Sequence, residues 1–423
     1  MKKILLIVLL VFGSAVVSNS QVVDRDRSKY AVNNFSDDDK YTMLQPYETV
    51  TVQEPKGKKV KNIIFMIGDG MGLEQISAAW VCNGGKLNMD NFTNVGIQRT
   101  YSANKLVTDS AAAGTALATG VRTNNGYCGV DPEGNQLTSV LRKAQNMGKK
   151  TGIVVNTTLT EATPAAFYAG VISRKMTYDI AEQFTESGVD LAIGGGFDHF
   201  YNRPDSVDLT ATLIEKGYDV YLNWESVLNT TSDRFVGILP LTDLHRRESN
   251  NGTASAAEGQ EVCLAAQLAS LNEEADSTHL SEPTVYLEKA TAKALDVFSR
   301  NNENGFFLMV ESAIIDGYGH NNDSEGMIVD MKEFDCTLRQ FVEYVDKHPG
   351  TLLVVTADHE TGGVGVDYNG NRPGNEGPVK LGFSTHGHTG TVVPVFAYGT
   401  GAESFAGIMK NTDIPKKIEA LMK

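Results

Sequence analysis

Short, continuously apolar runs alternate with segments of helical periodicity over most of the chain beyond Lys61. Such runs are typical of strands buried on both faces, and helical periodicity indicates helices that cover them. The predicted strands are 62–67, 150–155, 191–193, 306–311 and 352–356, and the predicted helices are 137–146, 178–187, 286–299 and 327–345. This order predicts an α/β fold, a three-layer α/β/α sandwich with a mainly parallel central sheet.

Two stretches depart from this pattern. Residues 21–60 are polar and charged without sustained periodicity, which predicts an N-terminal extension. Between residues 197 and 285 the pattern loosens into polar and acidic sequence, which predicts an insertion or cap rather than part of the sheet. The length of 423 residues would also allow two smaller domains. We expect one large domain over 61–423 that contains this insertion.

The first twenty residues have the pattern of a secretory signal peptide. Lys2 and Lys3 precede the apolar run 4–12, and small residues precede Gln21. A membrane anchor is the alternative, but the run is shorter than the ~20 residues that span a bilayer, and no second run exists. We therefore expect an exported protein, periplasmic or secreted, with no membrane span in the mature chain.

The balance of charge bears on the class of partner. Removal of Lys2 and Lys3 with the signal takes the formal charge from -15 to -17. A nucleic-acid partner is therefore not expected, and an anionic substrate would need a local reversal of sign, which bound dications supply. The four cysteines show no C-x-x-C spacing, so they do not predict a metal site, and their disulfide pairing is left open.

Carboxylates follow three of the predicted strands. Asp69 follows the first, Glu311 ends the fourth and Asp358 follows the fifth. The carboxyl ends of parallel strands share one edge of the sheet, which is where ligands bind in such folds. Gathered carboxylates repel each other unless cations lie among them.

Histidines near these carboxylates extend the donor set. His320, His359 and His388 add nitrogen ligands that suit zinc, whereas carboxylates and hydroxyls suit magnesium. Asp316 and His320 lie four residues apart and would share one face of a helical turn. The other histidines are predicted to be structural hydrogen-bonding residues; they are His199, His245, His279 and His348.

Ser110 lies where a helix is predicted to begin. Thr108 and Asp109 are good N-cap residues, and small helix-forming residues follow. Free N–H groups and the positive end of the helix dipole would favour a bound phosphate there, but this segment taken alone favours an ordinary capped helix. A serine hydroxyl needs a base or a metal to become a nucleophile, and no Ser-His-Asp signature lies beside Ser110 in sequence.

Five segments together resemble the alkaline phosphatase family in order and spacing. They are 65–72, 108–112, 161–166 with Arg174, 311–320, and 356–363 with 387–390. The resemblance spans about residues 60 to 400. It implies a metal-dependent phosphomonoesterase that forms a phosphoserine on its nucleophile, and a homodimer.

The resemblance also implies roles for individual residues. The first zinc would be held by Asp316, His320 and His388, and the second by Asp69, Asp358 and His359 with Ser110. A third, magnesium-type site would use Asp69, Thr163 and Glu311, with Glu161 close by. Ser110 and Arg174 would be catalytic, Arg174 would clamp two phosphate oxygens, and Asp109 would help to bind the substrate. His386 is expected to be a bystander.

Two alternatives stay open at this point. The same site could hydrolyse phosphodiesters or sulfate esters, but Arg174 seeks two unsubstituted oxygens, and the C-x-P-x-R context of sulfatases is absent around Ser110. A catalytically silent metal-binding surface protein is the second alternative; it would lack a nucleophile or a ligand, and none is missing.

Overall fold

The fold is described from a computed structural model. It describes residues 33–34, 47–53, 55, 57, 59–239, 286–300, 302–367 and 380–423. The predicted signal peptide, most of the predicted extension, residues 240–285 of the predicted insertion, and Cys263, His245 and His279 lie outside the described residues.

Fifteen strands belong to the described part of the chain. They are β1 (Asn33–Asn34), β2 (Asn62–Gly68), β3 (Asn94–Arg99), β4 (Lys150–Thr158), β5 (Leu191–Gly195), β6 (Asp219–Tyr221), β7 (Phe235–Ile238), β8 (Phe306–Ser312), β9 (Thr351–Ala357), β10 (Glu360–Thr361), β11 (Val364–Asp367), β12 (Lys380–Phe383), β13 (His388–Thr389), β14 (Val393–Gly399) and β15 (Gly407–Lys410). Ten of them form one sheet in the order β15-β3-β14-β9-β2-β8-β4-β5-β7-β6. Only β14 runs antiparallel to its neighbours in this sheet, which confirms the predicted mainly parallel arrangement.

Twelve α-helices in the described part connect and cover the strands. They are α1 (Leu73–Cys82), α2 (Ser110–Thr119), α3 (Val140–Asn146), α4 (Ala162–Tyr168), α5 (Thr177–Thr185), α6 (Phe197–Phe200), α7 (Leu209–Glu215), α8 (Trp224–Asn229), α9 (Tyr286–Ser299), α10 (Ile314–Asn321), α11 (Ser324–Lys347) and α12 (Asp413–Met422). None of these helices combines the length and the apolar character needed to span a bilayer.

The sheet separates two apolar cores. Along β2, Ile64 and Met66 face the core that contains α9 and α11, whereas Ile63 and Phe65 face the opposite core. Both faces of the strand are buried because successive side chains point to opposite sides. The fold is therefore the predicted three-layer sandwich.

The region predicted as an insertion contributes to the sheet. Residues 197–238 form α6, α7 and α8 and the strands β6 and β7, which extend one edge of the sheet in parallel pairing. These strands are short, three and four residues, so their apolar signal is weak. The described end of the predicted extension also packs on the domain: Gln53 N–H donates to the Tyr398 hydroxyl.

Candidate metal centre and active site

The carboxyl ends of three adjacent parallel strands, β9, β2 and β8, build one rim of the sheet. Asp69 directly follows β2, Glu311 is the last residue but one of β8, and Asp358 and His359 follow β9. Strand register places Ile67 beside both Glu311 and Thr356, so the residues that follow are level with one another. Gly70 has a φ of +74°, and a Cβ there would lie 2.8 Å from Cα of Asp316, so glycine allows this turn to pass against α10.

Ser110 is the first residue of α2 and is 1% exposed. Asp109 caps the helix, since one of its carboxylate oxygens accepts from Ala112 N–H at 3.0 Å. The other oxygen accepts from Gly126 N–H at 2.7 Å, and the carbonyl of Gly126 accepts from Arg174 N–H at 2.7 Å. Asp109 therefore ties the loop of Arg174 to the helix of Ser110. The part of Asp109 in binding the substrate stays a prediction.

Asp316, His320 and His388 converge at the outer part of the rim. The Nε2 atoms of the two histidines lie 3.1 Å apart, and each is within 3.4 Å of an Asp316 oxygen. The Nδ1 atom of each ring faces a backbone carbonyl, of His386 for His320 and of Thr108 for His388. A carbonyl only accepts, so Nδ1 carries a proton in both rings; Nε2 donates to Asp316 when the ring is charged, and offers a lone pair to a cation when the ring is neutral. Such facing lone pairs suit a shared cation.

His359 is the centre of a second, deeper group. Its Nε2 lies 3.2 Å from Ser110 Oγ, 3.4 Å from Asp69 Oδ1 and 3.1 Å from Asp358 Oδ2. Its Nδ1 lies 3.2 Å from Thr361 Oγ1. The Thr361 hydroxyl gives its one proton to Asp316 at 2.5 Å, so it accepts from His359 Nδ1–H. The Nε2 lone pair of His359 therefore faces the Ser110 hydroxyl and the carboxylates of Asp69 and Asp358.

This arrangement differs from a Ser-His-Asp triad. In a triad the serine and the carboxylate bond to different nitrogens of the imidazole. Here Ser110, Asp69 and Asp358 all approach the same nitrogen of His359. One nitrogen cannot serve three such partners, whereas a cation between them can bind all of them.

A third group of oxygen atoms shares Asp69 and Asp358 with the second. These atoms are buried and lack a well-formed hydrogen bond to any residue that the structure describes; they are Asp69 Oδ1, Asp358 Oδ2, Thr163 Oγ1 and both carboxylate oxygens of Glu311. Buried polar atoms normally have partners, and unpaired carboxylate oxygens suit a hard cation. The donor set thus fits zinc in the histidine-containing groups and magnesium in the oxygen group.

The carboxylates of the rim raise the pKa values of one another. Burial and then the charges of Asp358, Asp316 and Glu311 raise the pKa of Asp69 well above its usual range. Burial and Asp316 raise the pKa of Asp358 to about 6. Burial and the Asp358 charge likewise raise the pKa of Glu311. Asp316 is the exception: burial opposes ionisation, but hydrogen bonds from His320 and His388 hold its pKa well below the usual range. The same hydrogen bond raises the pKa of His320 to about 9.

Arg174 forms an ion pair with Glu161 beside the deeper group. Burial lowers the pKa of Arg174, but the Glu161 charge and hydrogen bond outweigh it and raise the pKa overall. The side chains of Arg174 and Glu161 are about one third exposed. Glu161 was expected near the magnesium-type site, and here its carboxylate orients the guanidinium. A guanidinium carries five donors, so Arg174 keeps others for a ligand.

A sequence profile of the family described as "Alkaline phosphatase" matches residues 60–376, more than half of the chain. The chain belongs to the alkaline phosphatase family. It is accordingly a hydrolase of this class, as the sequence motifs predicted.

Individual relatives agree with the family assignment. The alkaline phosphatase of Escherichia coli is 30% identical, over 84% of this chain and 85% of its own length. Alkaline phosphatase 4 of Bacillus subtilis is 28% identical, over 90% of this chain and 92% of its own length. The solved structure of alkaline phosphatase from the Antarctic bacterium TAB5 superposes with a TM-score of 0.71 and 31% identity, covering 87% of this chain and 99% of that one.

Within this alkaline phosphatase fold, the minor histidines differ in their roles. His386 was expected to be a bystander, but its carbonyl lies 2.5 Å from Nδ1 of His320 and its own Nδ1 lies 2.9 Å from the His320 carbonyl. It therefore orients a predicted ligand through its backbone. His199 bonds to Thr160 and His348 to the Tyr344 carbonyl, as expected of structural histidines.

Proposed function

We propose that this protein hydrolyses phosphate monoesters to an alcohol and inorganic phosphate through a covalent phosphoserine on Ser110. The observation that carries the proposal is the convergence of Ser110 Oγ, Asp69 and Asp358 on one unprotonated nitrogen of His359. The natural partner of such a set is a dication that also binds the serine oxygen.

The metal assignments follow the three groups of donors. Asp316, His320 and His388 would hold one zinc, and Asp69, Asp358 and His359 a second. Magnesium would bind Asp69, Thr163 and Glu311, with Glu161 nearby. When bound, these ions would lower the pKa of the serine hydroxyl and stabilise negative charge on the departing oxygen.

The residues of the chain then position the phosphoryl group. Ser110 Oγ forms a bond to phosphorus while the bond from phosphorus to the ester oxygen breaks, with the attacking and leaving oxygens in line. Arg174 donates two hydrogen bonds to phosphoryl oxygens, and the free N–H groups at the start of α2 favour the same charge. Water then attacks phosphorus on the side opposite Ser110 while the bond from phosphorus to Ser110 Oγ breaks. A proton lost by the water restores the Ser110 hydroxyl, and inorganic phosphate is released.

Replacement of the nucleophile tests the covalent step. Ser110→Ala should lower p-nitrophenyl phosphate turnover by about a thousandfold or more, because the covalent route needs the hydroxyl. Zinc and magnesium contents, measured by elemental analysis, should stay at the wild-type level. Ser77→Ala, on the exposed face of α1, is the matched control and should keep full activity. Monoesterase activity of Ser110→Ala within tenfold of wild type would contradict the proposal, as would activity that survives complete chelation.

We further propose that the protein is exported and acts as a homodimer. The proposal of export is supported by the signal-like pattern of residues 1–20. Fractionation of the source cells should recover a chain that begins near Gln21 outside the cytoplasm, and light scattering should give twice the mass of that chain.

A further inference from the structure

Leu106 is an unusually exposed apolar residue beside the candidate active site. It is 79% exposed, the highest value among the large apolar side chains of the described residues. The next residue, Val107, is also exposed. Isolated exposed leucines are common, so the significance of Leu106 depends on what holds it in place and what lies next to it.

The loop that carries Leu106 is fixed by hydrogen bonds on both sides. Ser102 N–H donates to the Lys105 carbonyl at 3.0 Å, and Lys105 N–H donates to Ser102 Oγ at 3.1 Å. The side-chain amide of Asn125 donates to the Val107 carbonyl at 3.1 Å. These hydrogen bonds hold the loop in place, so Leu106 is exposed in a defined position.

The same loop touches the segment that carries a predicted metal ligand. The carbonyl of Thr108 accepts from His388 Nδ1 at 2.9 Å. Leu106 also approaches Gly390, since a Cβ added to that glycine would lie 3.7 Å from Leu106 Cγ. Leu106 thus lies at the mouth of the site, on the side of His388.

The direction in which the alcohol leaves phosphorus determines which part of the substrate lies near Leu106. Ser110 lies at the bottom of the site, 1% exposed, whereas the side chain of His320 at the mouth is 40% exposed. In an in-line displacement the leaving oxygen lies opposite the attacking oxygen. The alcohol part of the ester therefore projects from the buried serine toward the mouth, and Leu106 and Val107 lie on the His388 side of that mouth, against Gly390.

We infer that Leu106 and Val107 form a contact surface for the leaving group. This surface favours monoesters of aromatic or apolar alcohols over monoesters of polar alcohols. The inference rests on the proposed function, because it assigns the substrate class of the same site. The phosphoryl group itself is bound elsewhere, so Leu106 should affect only the part of the substrate that differs between esters.

Leu106→Ser tests the inference by substrate selectivity. For phenyl phosphate, kcat/KM of the variant should be about fivefold lower than that of wild type, which corresponds to the loss of roughly 40 Å² of apolar contact. For glycerol 2-phosphate, kcat/KM of the variant should stay within about twofold of wild type. Comparison within each substrate removes the different chemical reactivity of the two alcohols. Inhibition by inorganic phosphate should be unchanged.

Ile214→Ser is the matched control. Ile214 is 59% exposed on α7, which packs at the opposite edge of the sheet, so its loss should leave kcat/KM for both esters at the wild-type value. Leu106→Ala is a second variant, and thermal unfolding of both Leu106 variants checks that they remain folded.

Several outcomes would overturn the inference. One is an unchanged kcat/KM for phenyl phosphate. Another is an equal fall for both esters with weaker phosphate inhibition, which would assign Leu106 to the phosphoryl site. A change of molecular mass in light scattering without a change in selectivity would show that Leu106 lies between two copies of the chain. Inactivity of the wild type on both esters would instead refute the proposed function.

Discussion

At the residue scale, the candidate metal ligands are easier to predict than the groups that orient them. Asp69, Glu311 and Asp358 stand at strand ends, so the apolar pattern alone brings them to one rim. Thr361 and the carbonyl of His386 have no such signal. Thr361 bonds to Asp316, 45 residues away in sequence, and a backbone carbonyl leaves no trace in residue type. Thr361 lies within a segment that resembles the family, but its residue type does not indicate that it orients a ligand.

The Thr361 hydroxyl should matter for metal affinity. It accepts from His359 Nδ1 and donates to Asp316, so it fixes the tautomer of one predicted ligand and the orientation of another. Thr361→Val keeps the shape of the side chain and removes both bonds. We expect zinc affinity to fall about 10- to 100-fold, as is usual when a residue that orients a ligand is lost. Competition with a fluorescent chelator measures this.

Thr391→Val is the control for that variant. Thr391 is exposed, lies three residues beyond His388, and bonds to the Thr389 hydroxyl rather than to a predicted ligand. Its zinc affinity should stay within about twofold of wild type. Equal losses in the two variants would mean that the change reflects general loosening of the rim and not the loss of ligand orientation.

At the element scale, central strands are predicted well and edge elements poorly. The boundaries of β2, β8 and β9 agree with their apolar runs to within one residue at each end. These strands are buried on both faces, so nearly every position is apolar. The edge strands β6 and β7 are too short to give a clear pattern. Helix α11 begins three residues earlier than predicted because Asp323 caps it through Gly326 N–H.

Helix α11 is also held by a buried carboxylate that its amphipathic pattern does not reveal. Asp335 accepts from the Tyr47 hydroxyl at 2.6 Å, from Asn88 N–H at 2.7 Å and from Met89 N–H at 3.1 Å. It therefore joins the helix to the turn at 88–91 and to the described end of the N-terminal extension. Burial raises the pKa of Asp335 to about 6.

Asp335→Asn should destabilise the fold, because the NH2 group of the new side chain would face groups that donate to Asp335, the Tyr47 hydroxyl or the backbone N–H groups of Asn88 and Met89. We expect a loss of about 2–3 kcal/mol in the free energy of unfolding, the usual cost of leaving buried polar groups unpaired. Urea denaturation followed by fluorescence measures it. Glu343→Gln on the same helix removes an exposed ion pair with Arg339 and should cost less than about 0.5 kcal/mol. A loss of similar size in both variants would show that the Asp335 contacts are not specific.

At the scale of the whole molecule, the chain has a formal net charge of -15, and the fold gathers several carboxylates at one rim of the sheet. Asp69, Glu311 and Asp358 are each at most 3% exposed at one rim. Folding brings them together, and the free energy of that repulsion must be offset by cations or by protons. The stability of the protein should therefore depend on both metal and pH.

The sign of this dependence follows from the raised pKa values. In the metal-free chain, burial and neighbouring charge raise the pKa of Asp358 from 3.8 to about 6, and those of Asp69 and Glu311 rise in the same direction. The folded chain keeps these protons at pH values where the unfolded chain has released them. The stabilising contribution of each proton is therefore complete in acid and is lost as the pH rises through the pKa of the folded state, which is about 6 for Asp358.

Thermal unfolding with and without a chelator tests this coupling. Between about pH 4 and pH 8 the metal-free protein should lose on the order of 5 °C in Tm relative to the zinc- and magnesium-loaded protein, since the shift of about two pKa units at Asp358 is worth about 3 kcal/mol and is lost between its unfolded and folded pKa values. Glu311→Gln removes one of the buried charges, so its metal-free form should lose less over the same range. If the metal-free and metal-loaded curves ran parallel, the buried carboxylates would not be the groups that the metals neutralise. The metals would then have to bind elsewhere, and the proposed mechanism would lose its electrostatic basis.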